Sequence, residues 1–307
     1  MSMRYPAGFI SAFYNPLQNP DAPTIGTATA TFGGITVAFT APSNVGGNPI
    51  TSYIATAKRT SDGVLFTASG ASSPITVTGL GAVAFTATVV AVNSYGPSAS
   101  SAASNSVTPL PAIGDAFGGG FFAGQISTAG NSIADFNLVI GPVASAQSTL
   151  QWKNANTATT GADSVIDGPQ NMADMVADGN STVYPAAHFC NDLVIGGFSD
   201  WYMPAKNELE VCYYNLKPTT VNNTTGSGIN TNAVPSRGSN YTAGTPAQTS
   251  ANDFKNTGAE DFVDDAYWCS TEFSAANANY QNFNGGNQSN YFKNASVRVR
   301  AVRRVAV

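Results

Sequence analysis

Between residues 21 and 109, apolar and polar positions alternate in short runs. GITVAFTAP (Gly34 to Pro42), PITSYIATAKR (Pro49 to Arg59), PITVTGL (Pro74 to Leu80) and AFTATVVAVNSYG (Ala84 to Gly96) each predict a strand. Turn residues mark the breaks, at Gly46-Gly47-Asn48, Asp62-Gly63 and Gly79. Strand-like runs repeating every ten residues or so predict a β-sandwich.

The pattern changes after a proline-rich joint at residues 110–116. FGGGFFAGQIS (Phe117 to Ser127) and FNLVIGP (Phe136 to Pro142) predict strands, with Gly118 to Gly120 a bulge or turn. IDGPQNMADMVADG predicts a short helix entered at Gly168 and Pro169. AAHFCNDLVIGG predicts a second helix, ended by Gly196 and Gly197. In AKNELEVCYYNLK, the positions Leu209, Cys212, Tyr213 and Leu216 recur at helical spacing and predict an amphipathic third helix. Residues 218–265 are rich in Thr, Asn, Gly and Ser and predict a long loop anchored by Tyr241, Phe254 and Phe262. In the closing SVRVRAVRRV, Val297, Val299 and Ala301 should face one way and Arg298 and Arg300 the other.

Charge alters this picture. Only 10% of residues are Asp, Glu, Lys or Arg, against about 25% in an average soluble domain. Ser, Thr, Asn and Gly must cover the surface instead. The net charge of -5 argues against nucleic acid, which wants a basic field. No stretch reaches the roughly 18 apolar residues of a membrane span, and the start MSMRYPAGFISAF lacks the clean apolar run of a signal peptide. Three cysteines, Cys190, Cys212 and Cys269, are an odd number without CxxC spacing, so this is not a disulfide scaffold. Cys190 and Cys212 are expected as buried small hydrophobes. The lone His188 has no histidine partner for a metal, and no Ser, His and Asp set or convincing carboxylate pair is visible, so no enzyme is expected. No cofactor is expected either; Asp261, Asp264 and Asp265 beside Glu260 are the best calcium candidates.

Two segments stand apart. Residues 1–20 carry Tyr5, Phe9, Phe13 and Tyr14 among prolines and read as an anchoring arm. Residues 277–294, NANYQNFNGGNQSNYFKN, hold seven Asn with several aromatics. Tyr offers contact area at low entropy cost and Asn offers adaptable hydrogen bonds, so the tract suits a binding surface.

Residues 21–109 resemble the fibronectin type III domain, through Pro23, the PxTSYxxxxK run, Leu80 and VVAVNSYGPSASS. The Trp usual on the family's second strand is replaced near Ala38 or Phe39, and its corner Tyr near Phe85. Residues 117–307 resemble C-type-lectin-like domains of the formylglycine-generating-enzyme and sulfatase-modifying type, as in bacterial and phage proteins with DWRLPT and YWSSTE blocks. Asp200, Trp201, Met203, Pro204, Glu208 and Leu209 match the first block. Tyr267, Trp268, Ser270, Thr271 and Glu272 match the second. Gly285, Val297, Arg298 and Val302 match the close. The implied fold class is multidomain: an all-β fibronectin type III-like sandwich plus an α+β C-type-lectin-like domain. The implied frame is Trp201, Pro204, Trp268, Glu272, Gly285, Arg298 and Arg300. Trp201 and Trp268 would fill the centre, and Glu272 would pair with the final arginines. Glu208 is placed either to cap the third helix or on the surface.

These lectin-like domains include the variable proteins of diversity-generating retroelements, which rewrite Asn-rich stretches. That resemblance implies Asn277, Asn279, Tyr280, Asn282, Asn284, Asn287, Asn290, Tyr291 and Asn294 as ligand-binding, variable positions. The order of arm, spacer and head looks like a bacteriophage structural protein. It implies a tail-fibre, tail-tip or capsid-fibre adhesin on the virion surface, bound to other virion proteins through the arm. Its ligand would be a host-cell surface glycan or protein. A homo-oligomer is expected, with a trimer favoured. The competing expectation is a purely structural capsid- or tail-decorating protein.

Overall fold

The computed structural model describes residues 18–307, which divide into two compact units between Ala112 and Ile113. The expected anchoring residues Tyr5, Phe9, Phe13 and Tyr14 lie outside the described residues.

Among the described residues the first unit has seven strands: β1 (Thr24–Thr31), β2 (Gly34–Thr40), β3 (Ser52–Arg59), β4 (Leu65–Gly70), β5 (Ile75–Thr78), β6 (Phe85–Asn93) and β7 (Gly96–Pro97). They form one sheet in the order β1-β2-β5 and another in the order β4-β3-β6-β7. By this three-on-four strand order the unit is a fibronectin type III-like sandwich. Alternation places Tyr53, Ala55 and Ala57 of β3 and Phe85, Ala87, Val89 and Ala91 of β6 inside, against Ile35, Val37, Ile75 and Val77. Phe39 fills the region of the missing Trp, with its ring 4.8 Å from that of Tyr53.

Beyond β7, a serine ladder continues the edge. Ser98, Ser101 and Ser104 donate their backbone N–H groups to the carbonyls of Ala91, Val89 and Ala87. Their hydroxyls accept the N–H groups of the same three residues at 2.9–3.0 Å. Three residues of the ladder match two of β6, so the segment is not a regular strand, yet the inner edge of β6 is fully hydrogen-bonded.

The second unit is α+β. Its strands are β8 (Ala116–Phe117), β9 (Gly120–Ile126), β10 (Phe136–Ile140), β11 (Gln147–Gln151), β12 (Ala233–Val234), β13 (Ala266–Glu272), β14 (Asn277–Asn282), β15 (Gln288–Phe292), β16 (Ser296–Arg300) and β17 (Val302–Ala306). Its helices are α1 (Val143–Ala146), α2 (Gly168–Asp178), α3 (Pro185–Asn191) and α4 (Lys206–Leu216). One sheet runs β12-β9-β10-β17, with β8 paired to β9, and the other runs β11-β16-β13-β14-β15. Gly118 and Gly119, both at positive φ, make the turn between β8 and β9. Trp152, Trp201 and Trp268 are all buried in one core. The long loop of residues 218–265 is ordered, with Tyr241, Phe254 and Phe262 buried as anchors.

Three expectations need correction. The second helix, α3, ends at Asn191 instead of at Gly196 and Gly197. Those glycines instead form the tip of a tight turn at positive φ, with Ile195 and Phe198 exchanging backbone hydrogen bonds at 3.0 Å. The third helix, α4, is not amphipathic. It is buried nearly all round, and Glu208 and Glu210 are as inaccessible as Leu209 and Cys212. The final run is two strands in different sheets, so its arginines do not share one open face. Arg300 is fully buried and Arg303 nearly so.

Candidate binding surface

The frame of the second unit is fixed by buried charge. Glu208 accepts hydrogen bonds from the backbone N–H of Ala205 at 2.8 Å, the hydroxyl of Tyr202 at 2.5 Å and Arg304 Nε at 2.9 Å. It therefore caps α4 from inside the core. Burial raises its pKa and the Arg304 guanidinium opposes that rise. Arg300 donates to the carbonyls of Gly141 at 2.8 Å and Glu260 at 2.9 Å, and to the Glu260 carboxylate at 2.7 Å. Its guanidinium lies over the rings of Phe262 and Phe254, at 4.8 and 5.5 Å from their centroids. Arg303 holds Asp200 through two parallel bonds of 2.8 and 2.9 Å, which keep that carboxyl below the usual carboxylate range.

Glu272 does not pair with the final arginines. Its partner is Lys293, at 2.8 Å. Lys293 is fully buried, donates also to Thr157 O at 2.8 Å and lies 4.7 Å from the Trp152 ring centre. Burial lowers its pKa, and Glu272 counters this. This bond fixes the foot of the β14–β15 hairpin. Sequence reasoning missed Lys293, although it is the one charged residue between positions 277 and 294.

The expected contact tract forms that hairpin, and strand alternation divides its residues between two faces. Register pairs Asn277 with Phe292, Ala278 with Tyr291, Asn279 with Asn290, Tyr280 with Ser289 and Gln281 with Gln288. Asn277, Asn279, Gln281 and Asn290 share the inner face. Asn279 is only 8% exposed and donates to Thr271 O at 3.1 Å. Asn277 donates to the Asn290 side chain at 2.8 Å. Next on this side, Phe283 stacks on Phe262 with ring centres 3.8 Å apart. The inner asparagines are thus part of the frame. Asn282 uses its side-chain oxygen to accept the N–H of Asn284 at 2.8 Å and shape the hairpin turn. Asn284 is exposed at that turn and Asn287 is half-buried in it; Asn294 is exposed beyond β15.

The opposite face starts from the fully buried Ala278 and opens outward to Tyr280, half-buried against the core, and to Tyr291. With Asp265, Ala266 and Val297 the two tyrosines line a shallow cleft of about 250 Å³. Tyr291 is 52% exposed. Arg298 and Asp265 form an ion pair at 3.3 Å, both partly open to solvent. Solvent screens such a pair, so it shapes the rim more than it stabilises the fold. Gly285 and Pro204 belong to the frame through backbone bonds, Thr224 N to Gly285 O at 2.7 Å and Ser270 N to Pro204 O at 2.8 Å.

The acidic run at 260–265 does not converge. Glu260 serves Arg300 and the N–H of Val143, Asp261 accepts from Thr257 N, and Asp265 serves Arg298. Among the described residues no group of three or more His, Cys, Asp and Glu side chains is placed to hold a metal ion. All three cysteines are buried and unbridged, and burial pushes each thiol pKa up, that of Cys269 to about 12. His188 Nε2 lies 2.7 Å from Gly179 O, a structural contact. Among the described residues no helix is long and apolar enough to cross a membrane.

The model of the Lcl C-terminal domain matches residues 141–303. This chain belongs to the Lcl C-terminal domain family. The match begins at Gly141, just after β10, and ends inside β17, so it contains the buried arginines, α4 and the hairpin. The Lcl C-terminal domain is a non-catalytic domain. No curated protein matches the chain. Among solved structures, titin kinase with its flanking domains is 23% identical at a TM-score of 0.27, and the match covers 30% of this chain and 17% of that one. Titin module A71 from human cardiac muscle is 27% identical at a TM-score of 0.25, covering 30% of this chain and 91% of the module. The FN5 domain of Drosophila Lar is 23% identical at a TM-score of 0.25, covering 30% and 97%.

Proposed function

We propose that this chain is a recognition protein in which the fibronectin type III-like unit is a spacer and the Lcl C-terminal domain presents the contact face. The observation that carries this reading is the cleft between Tyr280 and Tyr291 on the outer face of a hairpin fixed at its foot by Lys293 and Glu272. Two aromatic side chains on a pre-organised sheet lose little entropy on binding. The contact set narrows to Tyr280, Tyr291 and the outward or turn positions Asn282, Asn284, Asn287 and Asn294. Asn277, Asn279 and Asn290 support it from within. The frame is the lectin-like part of the reading: buried charge holds the scaffold while one face is left to vary.

We place the protein on a bacteriophage virion surface, as a homo-oligomer bound through residues 1–20 to other virion proteins. Its ligand would be a glycan or protein of the host cell surface. Repetition on a particle turns weak single contacts into avid binding. The test is the double variant Tyr280→Ala with Tyr291→Ala, in virions and as the isolated full chain. Adsorption to host cells should fall about a hundredfold if both rings act as anchors, with incorporation into particles unchanged. Unaltered adsorption rejects the tyrosine face as the contact, and an isolated parent chain that does not adsorb, with failed particle assembly in the variant, rejects the adhesin in favour of a purely structural decoration.

A further inference from the structure

The edge of a sheet is a row of unpaired main-chain groups, and each sheet of the sandwich has two such edges. Three of the four are closed or cut short. β1 is bulged between Ile25 and Ala28, and the Asn105 side chain takes both main-chain groups of Ala28, at 2.9 and 3.0 Å. β5 is four residues long. β7 is two residues long, and the serine ladder continues beyond it along β6. β4 has none of these protections. Its six residues run in regular register with β3, without bulge, proline or charge.

The open groups of β4 follow from the phase of β3. Arg59 N–H donates to Val64 O at 2.9 Å on the side of β4, and Thr60 N–H donates to Ala84 O at 3.0 Å on the side of β6. Main-chain groups alternate sides along an antiparallel strand. Ala57 and Ala55 therefore bond to Phe66 and Ala68, and Leu65, Thr67 and Ser69 turn their N–H and C=O groups away from β3. None of these groups has a partner among the described residues. The side chains of the same three residues are exposed, Leu65 at 60%, and the neighbouring Val64 is 43% exposed.

Two properties of this edge fix what pairs with it. The first is symmetry. The open residues are spaced evenly about Thr67. An antiparallel copy of the same strand, with Thr67 opposite Thr67 and Leu65 opposite Ser69, meets every open donor with an acceptor. The second is charge. Residues 21–112 hold Asp21 and Asp62 against Lys58 and Arg59 and no other charged side chain, so the sandwich has no net charge to hold copies apart.

We infer that β4 is a homotypic docking strand: two copies of this chain join edge to edge about a two-fold axis at Thr67, and two four-stranded sheets become one of eight strands. The surface lies on the sandwich, so it depends neither on the tyrosine cleft nor on residues 1–20. The contact is shorter than a standard interface, which makes the association weak and reversible.

The experiment is sedimentation velocity on the full chain from about 1 μM to about 1 mM, the range of a weak interface, with hydrogen exchange measured at both ends. The parent should pass from monomer to dimer, and the amides of residues 64–70 should gain protection only at the high end. Thr67→Pro removes a donor that an edge strand can spare, and should abolish the dimer with the thermal midpoint unchanged. Thr67→Lys and Thr67→Glu each set like charges face to face at the axis and should weaken dimerisation about fivefold. An equimolar mixture of these two should restore it, which structural damage would not do; the pair carries the test if Thr67→Pro does not fold. A parent that stays monomeric throughout, a folded Thr67→Pro chain that associates as the parent does, or a charge mixture that fails to recover would overturn the inference. So would equal protection of residues 64–70 at both concentrations, which would put another segment of the same chain on the edge.

Discussion

The interior of the sandwich is built from Ile35, Val37, Val77, Phe85 and Val89, whereas the interior of the Lcl C-terminal domain also holds Glu208, Glu210, Lys293 and Arg300. The sandwich's ion pair, Arg59 with Asp62, lies on the surface. A sandwich is specified by register: each strand repeats the same alternation, and one slipped residue would turn every apolar side chain outward. The Lcl domain has short strands, short helices and a loop of nearly fifty residues, where alternation specifies little. There the buried charges set the arrangement, because each accepts only one partner geometry. Buried ion pairs add little net stability, since desolvation offsets their attraction, but removing one partner is severe.

That contrast predicts where each unit breaks. The largest effect is expected for Arg300→Ala, which leaves the Glu260 carboxylate with the Val143 N–H but no counter-charge and strands the carbonyls of Gly141 and Glu260. Urea unfolding should show the Lcl domain losing about 3–5 kcal/mol, with the sandwich transition unmoved. Replacing both partners, as Arg300→Met with Glu260→Leu, should lose far less; equal loss would mean that the pair contributes stability outright. The next effect is a loss of stability in alkali. Burial pushes the Tyr267 phenol from its ordinary value of 10 up to about 12. The folded state keeps the proton that the unfolded chain gives up. This contribution is therefore complete below pH 10 and is lost as pH rises toward about 12, at about 1.4 kcal/mol per pH unit. A urea midpoint that stays flat over that interval refutes it. The smallest effect belongs to the sandwich. Ser101→Ala leaves the buried N–H of Val89 without its side-chain acceptor and should cost about 1–2 kcal/mol. Ser100→Ala, one step out of the ladder, should cost nothing measurable.

The same contrast governs what the sequence disclosed. Strands β2, β3, β5 and β6 were legible because each buries one face and alternates. Strands β1 and β4 were not: Ala28 is the one buried position of β1, and β4 has none, so neither carries an apolar period. The serine ladder has a period of three, outside both strand and helix templates, although S-x-x-S-x-x-S is plain once β6 is in place. In the Lcl domain the helices α2 and α4 and the YWCSTEF strand were legible as elements. The burial of Glu208 and Glu210 was not, because a carboxylate enters a core only with partners that lie far away in sequence, here Arg304 and Arg237. The contact tract was legible as a hairpin with a binding composition. Its division into an inner asparagine face and an outer tyrosine face follows from register, which the tract alone did not fix.

Ala301 passes the chain from one sheet of the Lcl domain to the other, its N–H bonded to Ala146 O and its carbonyl to Gly141 N, each at 2.9 Å. The strand before it lies between β11 and β13, and the strand after it pairs Phe136 with Ala306. This geometry sets an order in time. A growing chain that has reached residue 295 holds helices α1 to α4 and the hairpin, but lacks an inner strand of one sheet and the border of the other. Two carboxylates are also unmatched: Glu208 and Glu260 wait for Arg304 and Arg300. The domain therefore completes itself only after synthesis has passed its closing strands, by contacts of long sequence separation that form slowly. A chain that stops before Arg300 would leave the Glu208 and Glu260 carboxylates uncompensated and the two sheets unjoined.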